Sequence, residues 1–427
     1  MSSLPDWWDP ARSWGRGHRV RVLIVTAGSR GDVAPFTGLG LRLQQAGHQV
    51  AVAAHGPFAD LVRECGLEYR PLPGDPVEMA RARTAAPTPE AARSVFAEFL
   101  HALGDGVVEA VAAGTDVVLT AFGPAPVSRV VAHALGVPSA GVYLAPGLPT
   151  GAFAPPGWPG EGDLGPAGNL AAGRQLLDRT GMLHAEVLSS LRARLRVPEP
   201  PDGEAAATGA PTGWPIHHGF SPAVVPRPVD WPPEARVCGY WWPAEPPDRQ
   251  PPDRLADFLQ AGPPPVFVGF GSMTPADGGR LGRVVGEAVQ RAGVRAVVQS
   301  GWAGLDFPDG DVLVVDDLPH RWLFPRMAAV VHHAGAGTTA AGLHAGVPAV
   351  AVPALVDQPF WADRLHRLGV APPPLPMHEL DAAALAGAIR SYLDDPSRRR
   401  RAVELSRAVR ADDGAGAVLA LVERLGD

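Results

Sequence analysis

The sequence contains no lysine, a single asparagine (Asn169) and only two cysteines, Cys65 and Cys238. Because Ala, Gly, Pro and Arg are abundant instead, we interpret the missing lysine and asparagine as GC-rich codon usage and not as a functional signal. The two cysteines lie far apart in the sequence and do not form a metal-binding spacing. We therefore expect a reduced, cytoplasmic protein.

The chain also has fewer basic than acidic residues. The 37 basic residues are outnumbered by 44 Asp and Glu residues, which gives a formal net charge of −7. This balance argues against nucleic acid and anionic membranes as partners. A secretory signal is not evident, because the first apolar run, residues 20–25, is short and follows two acidic residues, Asp6 and Asp9.

One long stretch, residues 327–356, contains no Asp, Glu, Lys or Arg and has the length of a transmembrane helix. Its paired histidines, glycines and prolines instead favour a strand, a loop, a helix and a second strand. We therefore expect no membrane span.

The chain has 427 residues, which suits two domains of about 200 residues each. A polar, tryptophan-bearing leader precedes them, and we interpret it as a mobile tail or as an arm packed on the body or on a second subunit. The predicted segments are a leader (1–18), a first domain (19–225), a proline-rich linker (226–252), a second domain (253–405) and a C-terminal helix that packs back on the first domain (406–427).

Apolar runs alternate with helical patterns in both domains, which predicts parallel α/β sheets with right-handed crossovers. The fold class is therefore α/β, with two similar Rossmann-like halves that face a cleft. Strands are expected at 20–25, 49–54, 116–120, 138–144, 266–270, 296–299, 312–315, 327–331 and 347–352.

Residues 145–212 interrupt this alternation. They open with a loop rich in proline and glycine (146–166) and continue with a predicted helix at 170–195. Long irregular insertions in compact domains are often binding surfaces. Phe153 and Trp158 suggest an apolar pocket in this one.

The most informative motif is His-His-Ala-Gly-Ala-Gly-Thr-Thr at 332–339, between a predicted strand and a predicted helix. Backbone N–H groups at a helix N-terminus and the helix dipole attract anions, and glycines let the backbone approach a phosphate closely. The motif therefore predicts a diphosphate ligand. The alternative is that His332 and His333 are ordinary core histidines.

The first strand is followed by a second polar loop, residues 26–35. Asp32 in this loop is either a helix cap or a general base at the carboxyl end of the sheet. Arg30 is suited to a phosphate or to a surface carboxylate. The loop does not match the Gly-x-Gly-x-x-Gly fingerprint, which weakens the case for a nicotinamide-dependent dehydrogenase.

Three further loops carry candidate residues. Gly271 and Ser272 follow the first strand of the second domain and suit either a phosphate or a tight turn. Trp302 suits a nucleobase or an interface. Asp357 and Gln358 suit sugar hydroxyls or a helix cap.

Together, these motifs resemble the GT-B-fold UDP-glycosyltransferase family. The likeness is to its bacterial natural-product branch, which includes glycopeptide-antibiotic glycosyltransferases, and to sterol 3-beta-glucosyltransferases. It covers about residues 19–425. The residues that carry it are Gly28-Ser29-Arg30-Gly31-Asp32 with Pro35, Gly269-Phe270-Gly271-Ser272, Gly301-Trp302, the 332–339 motif and Asp357-Gln358-Pro359.

The resemblance implies a role for each matching position. Asp32 matches the catalytic base, for which many relatives have histidine. Plant members keep a Trp-x-Pro-Gln motif where this chain has Asp-Leu-Pro-His at 317–320. The remaining roles are the donor diphosphate (Ser29, Arg30, Ser272, His333, Gly335, Gly337, Thr338 and Thr339), the donor base (Trp302 and Leu318), the donor sugar (Asp357 and Gln358) and, on our own assignment, the acceptor (Phe122, Tyr143 and Phe153).

The implied activity is an inverting transfer of a hexose or deoxyhexose from a UDP- or TDP-sugar to a hydroxyl of an apolar natural-product aglycone. It requires no metal and no cofactor beyond the nucleotide-sugar co-substrate. We expect a monomer or homodimer. The alternatives are a non-catalytic, sugar-nucleotide-binding accessory protein and another GT-B enzyme, such as a sugar-nucleotide epimerase.

Overall fold

The computed structural model describes residues 19–159, 162–198, 213–244, 252–271, 278–299, 311–316 and 318–426. The predicted leader, residues 1–18, lies outside these ranges. The described residues divide into two compact units: the first contains those within 19–220, 227–244 and 413–426, and the second contains those within 221–226 and 252–412.

The first unit is built on one parallel sheet. Its strands are β1 (Arg21–Val25), β2 (Gln49–His55), β3 (Glu68–Leu72), β4 (Val117–Thr120), β5 (Ser139–Tyr143), β6 (Ile216–His218) and β7 (Ala235–Val237). They lie in the order β3-β2-β1-β4-β5-β6-β7. Strand β1 is buried on both faces, as expected of a parallel sheet covered by helices. Val22 and Ile24 belong to one core, whereas Leu23 and Val25 belong to the core on the other face.

Helices cover both faces of this sheet, and several begin at side chains that cap the free N–H groups of the first turn. Asp75 accepts a hydrogen bond from Val77 N at 2.7 Å, and Thr88 accepts one from Ala91 N at 3.1 Å. The described helices of this unit are Arg30–Gln45, Ala59–Glu64, Pro76–Ala85, Pro89–Ala112, Ala125–Ala134, Gly165–Leu195 and Gly414–Gly426.

The second unit contains a smaller parallel sheet. Its strands are β8 (Val266–Gly269), β9 (Ala296–Gln299), β10 (Val312–Val315), β11 (Ala329–His332) and β12 (Ala349–Ala351). They lie in the order β10-β9-β8-β11-β12. The described helices are Asp253–Gln260, Gly278–Ala292, His320–Leu323, Ala336–Ala345, Gln358–Arg367, Ala382–Leu393 and Pro396–Ala411. The predicted α/β class with two parallel sheets is therefore confirmed.

The strand order reverses once in the middle of each sheet, between β1 and β4 in the first unit and between β8 and β11 in the second. At such a switch point the loops after the two central strands diverge and leave a crevice at the carboxyl edge of the sheet. The loops after β1 and β11 are the two that the sequence motifs mark. The topology therefore puts both motifs where open α/β sheets bind their ligands.

The prediction that residues 226–252 form an interdomain linker is wrong for most of the segment. Residues 235–237 form strand β7, which pairs in parallel with β6. Trp241 is buried, its ring lies 5.7 Å from that of Phe36, and its indole N–H donates to the Gly414 carbonyl at 3.1 Å. Prolines flank this edge strand without interrupting it. Because the strand is short, the prolines dominate the composition of the segment, which therefore resembles that of a linker.

The C-terminal boundary also differs from the prediction. The helix Pro396–Ala411 belongs to the second unit, and only the last helix, Gly414–Gly426, belongs to the first. Val418, Leu421 and Val422 of that helix are buried in one of the two cores of the first sheet.

Within the described ranges, every helix is too short or too polar to cross a lipid bilayer.

We predict that Leu421→Ala lowers the free energy of unfolding by about 2–5 kcal/mol, since it leaves a cavity in a closed core. The matched control is Glu423→Ala on the exposed side of the same helix, which changes the stability by less than about 0.5 kcal/mol. Urea unfolding followed by circular dichroism measures both. Equal stability of the two variants would mean that the last helix does not contribute to this core.

Candidate functional site

In the second unit, the loop after β11 brings three of the predicted residues together. The His333 ring occupies the space next to Gly271 and Gly335: a Cβ atom added to Gly271 would lie 2.8 Å from His333 Cε1, and one on Gly335 would overlap with His333 Nε2. Gly271 has φ +63°, a backbone conformation that favours glycine. The predicted glycines therefore make room for the predicted histidine.

The helix Ala336–Ala345 begins directly behind this histidine. Its N-cap is Gly335, which offers no side chain to the free N–H groups of the first turn. Gly337 is exposed, and an added Cβ atom would meet nothing within 4 Å. Thr338 is half-buried, and Thr339 is buried with no hydrogen-bond partner for Oγ1 among the described residues. The geometry suits an anion that takes up these donors.

The charge of His333 differs from the sequence expectation of a donor that can be positively charged. Burial lowers the pKa of its imidazole to about 4. The ring is therefore neutral near pH 7 in the unliganded protein. Its Nδ1 is buried without a hydrogen-bond partner among the described residues. We conclude that His333 can offer a neutral ring N–H to an anion at neutral pH.

Asp357 and Gln358 lie at the start of the helix Gln358–Arg367, after β12. Asp357 Oδ2 accepts a hydrogen bond from Trp361 Nε1 at 2.8 Å. Burial raises the pKa of the Asp357 carboxyl above its ordinary value. Gln358 Oε1 accepts hydrogen bonds from Ala354 N at 2.9 Å and Leu355 N at 3.2 Å. Both side chains therefore stabilise the loop that carries them.

Two predicted donor contacts, Ser272 and Trp302, lie outside the described residues. Leu318, predicted near the nucleobase, is buried and immediately precedes the turn that leads into the helix His320–Leu323. Its assignment stays a prediction.

In the first unit, Asp32 is the third residue of the helix Arg30–Gln45, and Ser29 is its N-cap. Asp32 Oδ2 accepts hydrogen bonds from Ser29 N at 2.6 Å and Ser29 Oγ at 2.9 Å. Ser29 is the donor in both, and the bond from its backbone N–H to the Asp32 carboxylate is the N3-to-N-cap contact of a capping box. The capping interpretation of Asp32 is therefore correct in part, and the Ser29 hydroxyl is used to orient the carboxylate. Arg30 is exposed beside them.

Gly28 determines where that carboxylate can lie. Its φ is +139°, and a Cβ atom added there would overlap with Asp32 Oδ2. Only glycine leaves this space free at this backbone conformation. The Asp32 carboxylate is thus held from two sides at the switch point of the first sheet.

Two of the three predicted acceptor residues are in direct contact. The rings of Phe122 and Tyr143 lie edge to face, with centroids 5.2 Å apart and an interplanar angle of 88°. Gly147 packs against both rings. Tyr143 is buried, which raises the pKa of its phenol, whereas the Phe122 side chain is 44% exposed. Phe122 lies in the loop that follows β4. Its neighbour Gly123 lies next to the loop that contains Asp32, since a Cβ atom added to Gly123 would be 3.9 Å from the Ala27 carbonyl oxygen.

The third residue, Phe153, joins this pair through two residues that sequence reasoning missed. The centroid of its ring lies 6.5 Å from that of Trp231. The Trp231 ring stacks on His218 with centroids 4.5 Å apart, and the His218 and Tyr143 centroids are 5.8 Å apart. His218 is fully buried, and burial lowers its pKa to about 3. No local pattern reveals this aromatic row, because it joins residues from four distant segments.

The Pro/Gly-rich loop is anchored by two further residues that the sequence analysis did not select. Asn169 Oδ1 accepts from Leu164 N at 3.0 Å, while its Nδ2 donates to Gly151 O at 3.1 Å and to Asp163 at 2.7 Å. Asp230 accepts from Thr150 Oγ1 and from Gly151 N, both at 2.7 Å. The signal that was available is compositional: Asn169 is the sole asparagine of the chain.

Groups of three or more His, Cys, Asp or Glu side chains with the geometry of a metal site do not occur among the described residues.

Two family models match the chain. The model of the glycosyltransferase family 28 N-terminal domain matches residues 22–147. The model of the erythromycin biosynthesis protein CIII-like C-terminal domain matches residues 294–423. The first match contains the Asp32 loop, and the second contains the 332–339 loop.

Curated relatives cover nearly the whole chain. The O-mycaminosyltylonolide 6-deoxyallosyltransferase of Streptomyces fradiae is 36% identical over 95% of this chain and 97% of its own length. A sterol 3-beta-glucosyltransferase of Arabidopsis thaliana is 34% identical over 95% of this chain, which spans 66% of that protein. A sterol 3-beta-glucosyltransferase of Emericella nidulans is 30% identical over 95% of this chain, which spans 30% of that protein.

Solved structures show the same architecture. The glycotransferase of kitacinnamycin superposes with a TM-score of 0.73 at 20% identity, covering 96% of this chain and 100% of the other. The Streptomyces sp. SF2575 glycosyltransferase SsfS6, complexed with thymidine diphosphate, superposes with a TM-score of 0.64 at 21% identity, covering 95% of this chain and 100% of the other. With its two parallel sheets, its two family-model matches and relatives that are named glycosyltransferases, the chain belongs to the GT-B-fold glycosyltransferases.

Proposed function

We propose that the protein is an inverting, metal-independent glycosyltransferase. It moves a hexose or deoxyhexose from a UDP- or TDP-sugar to a hydroxyl of an apolar natural-product aglycone. The observation that carries this proposal is the 332–339 loop, where a histidine, an uncapped helix N-terminus and an open glycine form an anion site. Support for the nucleotide comes from SsfS6, which has this fold and was solved with thymidine diphosphate.

Asp32 is the proposed general base. Its carboxylate takes the proton from the acceptor hydroxyl while the acceptor oxygen attacks the anomeric carbon of the donor sugar. The new bond forms on the face opposite the diphosphate, so the configuration at that carbon inverts. The Ser29 hydrogen bonds and the space left by Gly28 support this role, because they hold the carboxylate in one orientation.

The nucleoside diphosphate leaves with the electron pair of the broken carbon–oxygen bond and gains negative charge. Backbone N–H groups at the start of the helix Ala336–Ala345, the helix dipole and the Thr338 and Thr339 hydroxyls stabilise that charge. His333 adds a neutral ring N–H, and a bound dianion raises the pKa of the ring. Ser272, Ser29 and Arg30 are kept as proposed phosphate contacts.

Asp357 and Gln358 are the proposed contacts to the donor sugar. Asp357 Oδ2 is engaged by Trp361, and Gln358 Oε1 is engaged by two backbone N–H groups. We propose that Asp357 and the side-chain amide of Gln358 meet sugar hydroxyls from this loop. Trp302 and Leu318 remain the proposed contacts to the nucleobase.

The proposed acceptor surface is the exposed face of Phe122, supported from behind by Tyr143, with Phe153 in the same aromatic row. An aromatic surface of this kind favours an apolar aglycone over a charged or strongly polar acceptor. The Streptomyces fradiae relative is named for transfer to a macrolide, and the Arabidopsis relative for transfer to a sterol. Both names agree with a large apolar acceptor.

We propose a reducing compartment, the cytoplasm, because Cys65 and Cys238 are not joined in a disulfide. A non-catalytic accessory role is the alternative. Asp32 argues against it, since an accessory protein has no need for an oriented carboxylate.

The proposal is tested with a matrix of UDP- and TDP-sugars against macrolide, sterol and peptide aglycones, with products identified by mass spectrometry. We expect a glycosylated product with at least one pair and unchanged turnover in the presence of EDTA. Donor binding without transfer to any acceptor would favour the accessory role. Loss of turnover in EDTA that Mg²⁺ restores would contradict the metal-independent mechanism.

We predict that Asp32→Asn lowers kcat by about a hundredfold to ten-thousandfold, the range for removal of a general base. The amide oxygen still accepts the Ser29 hydrogen bonds, so the fold and nucleotide affinity stay intact. Asp75→Asn is the matched control, because Asp75 also caps a helix with its carboxylate and is expected to keep full turnover. Turnover assays and calorimetric titration with UDP or TDP measure both properties. Normal kcat in Asp32→Asn excludes this residue as the base.

We also predict that Gly337→Ala weakens UDP or TDP binding by about tenfold, because its methyl group enters the space that a phosphate oxygen needs. The protein stays folded, since nothing lies within 4 Å of the added Cβ. Gly387→Ala is the matched control: it also adds a methyl group to an exposed helical glycine with nothing within 4 Å. Calorimetry and thermal unfolding measure affinity and stability. Equal affinity of both variants would place the diphosphate elsewhere.

A further inference from the structure

The first histidine of the pair, His332, makes a contact that the reaction scheme does not use. It is the last residue of β11 and is fully buried. Its Nδ1 accepts a hydrogen bond from the backbone N–H of Ala334, two residues further on, at 3.1 Å. An Asx turn has the same geometry, with a side-chain oxygen of Asn or Asp as the acceptor. His332 reproduces such a turn with a ring nitrogen.

The turn is needed because Ala334 has an unfavourable backbone conformation. Its φ is +61°, in the left-handed region that residues with a Cβ atom rarely adopt. The next residue, Gly335, is the N-cap of the helix Ala336–Ala345. The direction in which the chain enters this helix therefore depends on the Ala334 turn.

The ring of His332 is in the protonation state that this contact requires. Since Nδ1 accepts a hydrogen bond, the ring proton of the neutral form is on Nε2. Nε2 is buried with no hydrogen-bond partner among the described residues. Burial, together with the neighbouring His333 and His320, lowers the pKa of the ring to about 3. Nδ1 thus stays an acceptor throughout the physiological pH range.

A buried ring N–H without a partner lowers stability, and an apolar side chain of similar size would remove that cost. A role in stability alone does not account for His332. The benefit of a histidine at this position comes from its other ring nitrogen, because the hydrogen bond to Nδ1 holds Ala334 in the left-handed conformation.

We propose that His332 is a positioning residue for the diphosphate loop. It does not touch the ligand; its Nδ1 fixes the Ala334 turn and so directs His333 and the free N–H groups of residues 335–338 toward the phosphates. This inference rests on the proposed function of the same loop.

The test uses calorimetric titration of UDP and TDP into full-length variants, with thermal unfolding as a control for folding. His332→Leu removes the acceptor and the unpaired N–H together, and we expect about tenfold weaker binding without loss of stability. His332→Asn restores an acceptor atom at the same position along the side chain, so its affinity stays within about twofold of wild type. His332→Ala provides a second acceptor-free variant should the leucine disturb folding.

A double variant separates positioning from packing. Glycine adopts the left-handed conformation without help, so His332→Leu combined with Ala334→Gly regains most of the lost affinity. The Ala334→Gly single variant is the reference for the double variant, since it contains the same glycine together with an intact His332. Undiminished binding by His332→Leu, or no recovery in the double variant, would overturn the positioning role. Absence of UDP and TDP binding in the wild type would instead overturn the proposed function of the loop.

Discussion

In both units, the side chain to which we assign a function lies in space that a missing Cβ atom leaves free. The Asp32 carboxylate lies where a side chain on Gly28 would be, and the His333 ring lies against Gly271 and Gly335. Both arrangements occur at the switch point of a parallel sheet, where two loops diverge and the backbone is most accessible. The positions of the proposed base and of the proposed phosphate ligand therefore depend on close backbone approach, and no side chain larger than hydrogen satisfies that constraint.

Burial sets the charge of the second unit's site. Removal from water lowers the pKa values of His332 and His333 and raises that of Asp357. The unliganded loop consequently presents neutral donors and helix N–H groups and no fixed positive charge. Neutral, preorganised donors bind a departing diphosphate without first losing a salt bridge to the protein. In the proposed mechanism, His332 orients the loop and His333 faces the ligand.

Polar contacts order the apolar Pro/Gly-rich loop, residues 146–166, which contains the proposed acceptor residue Phe153. Asn169 and Asp230 fix the backbone near Thr150 and Gly151 by hydrogen bonds to N–H and carbonyl groups that an irregular segment cannot pair by itself. Composition explains the scarcity of asparagine by codon usage and does not single out Asn169. In the structure this asparagine has a well-defined structural role, since no other side chain of its length offers both a donor and an acceptor.

By itself the sequence determined the α/β class, most central strands and the two loops that contain the proposed base and the proposed diphosphate site, because these depend on local patterns: apolar runs followed by small and polar residues. Local patterns do not specify which distant segments meet. The tertiary structure alone decided that the proline-rich segment after Pro226 contributes an edge strand, that His218 and Trp231 join the aromatic row, and that the last helix completes the first core. Each of these depends on contacts between residues far apart in the chain, which form only when the whole unit folds.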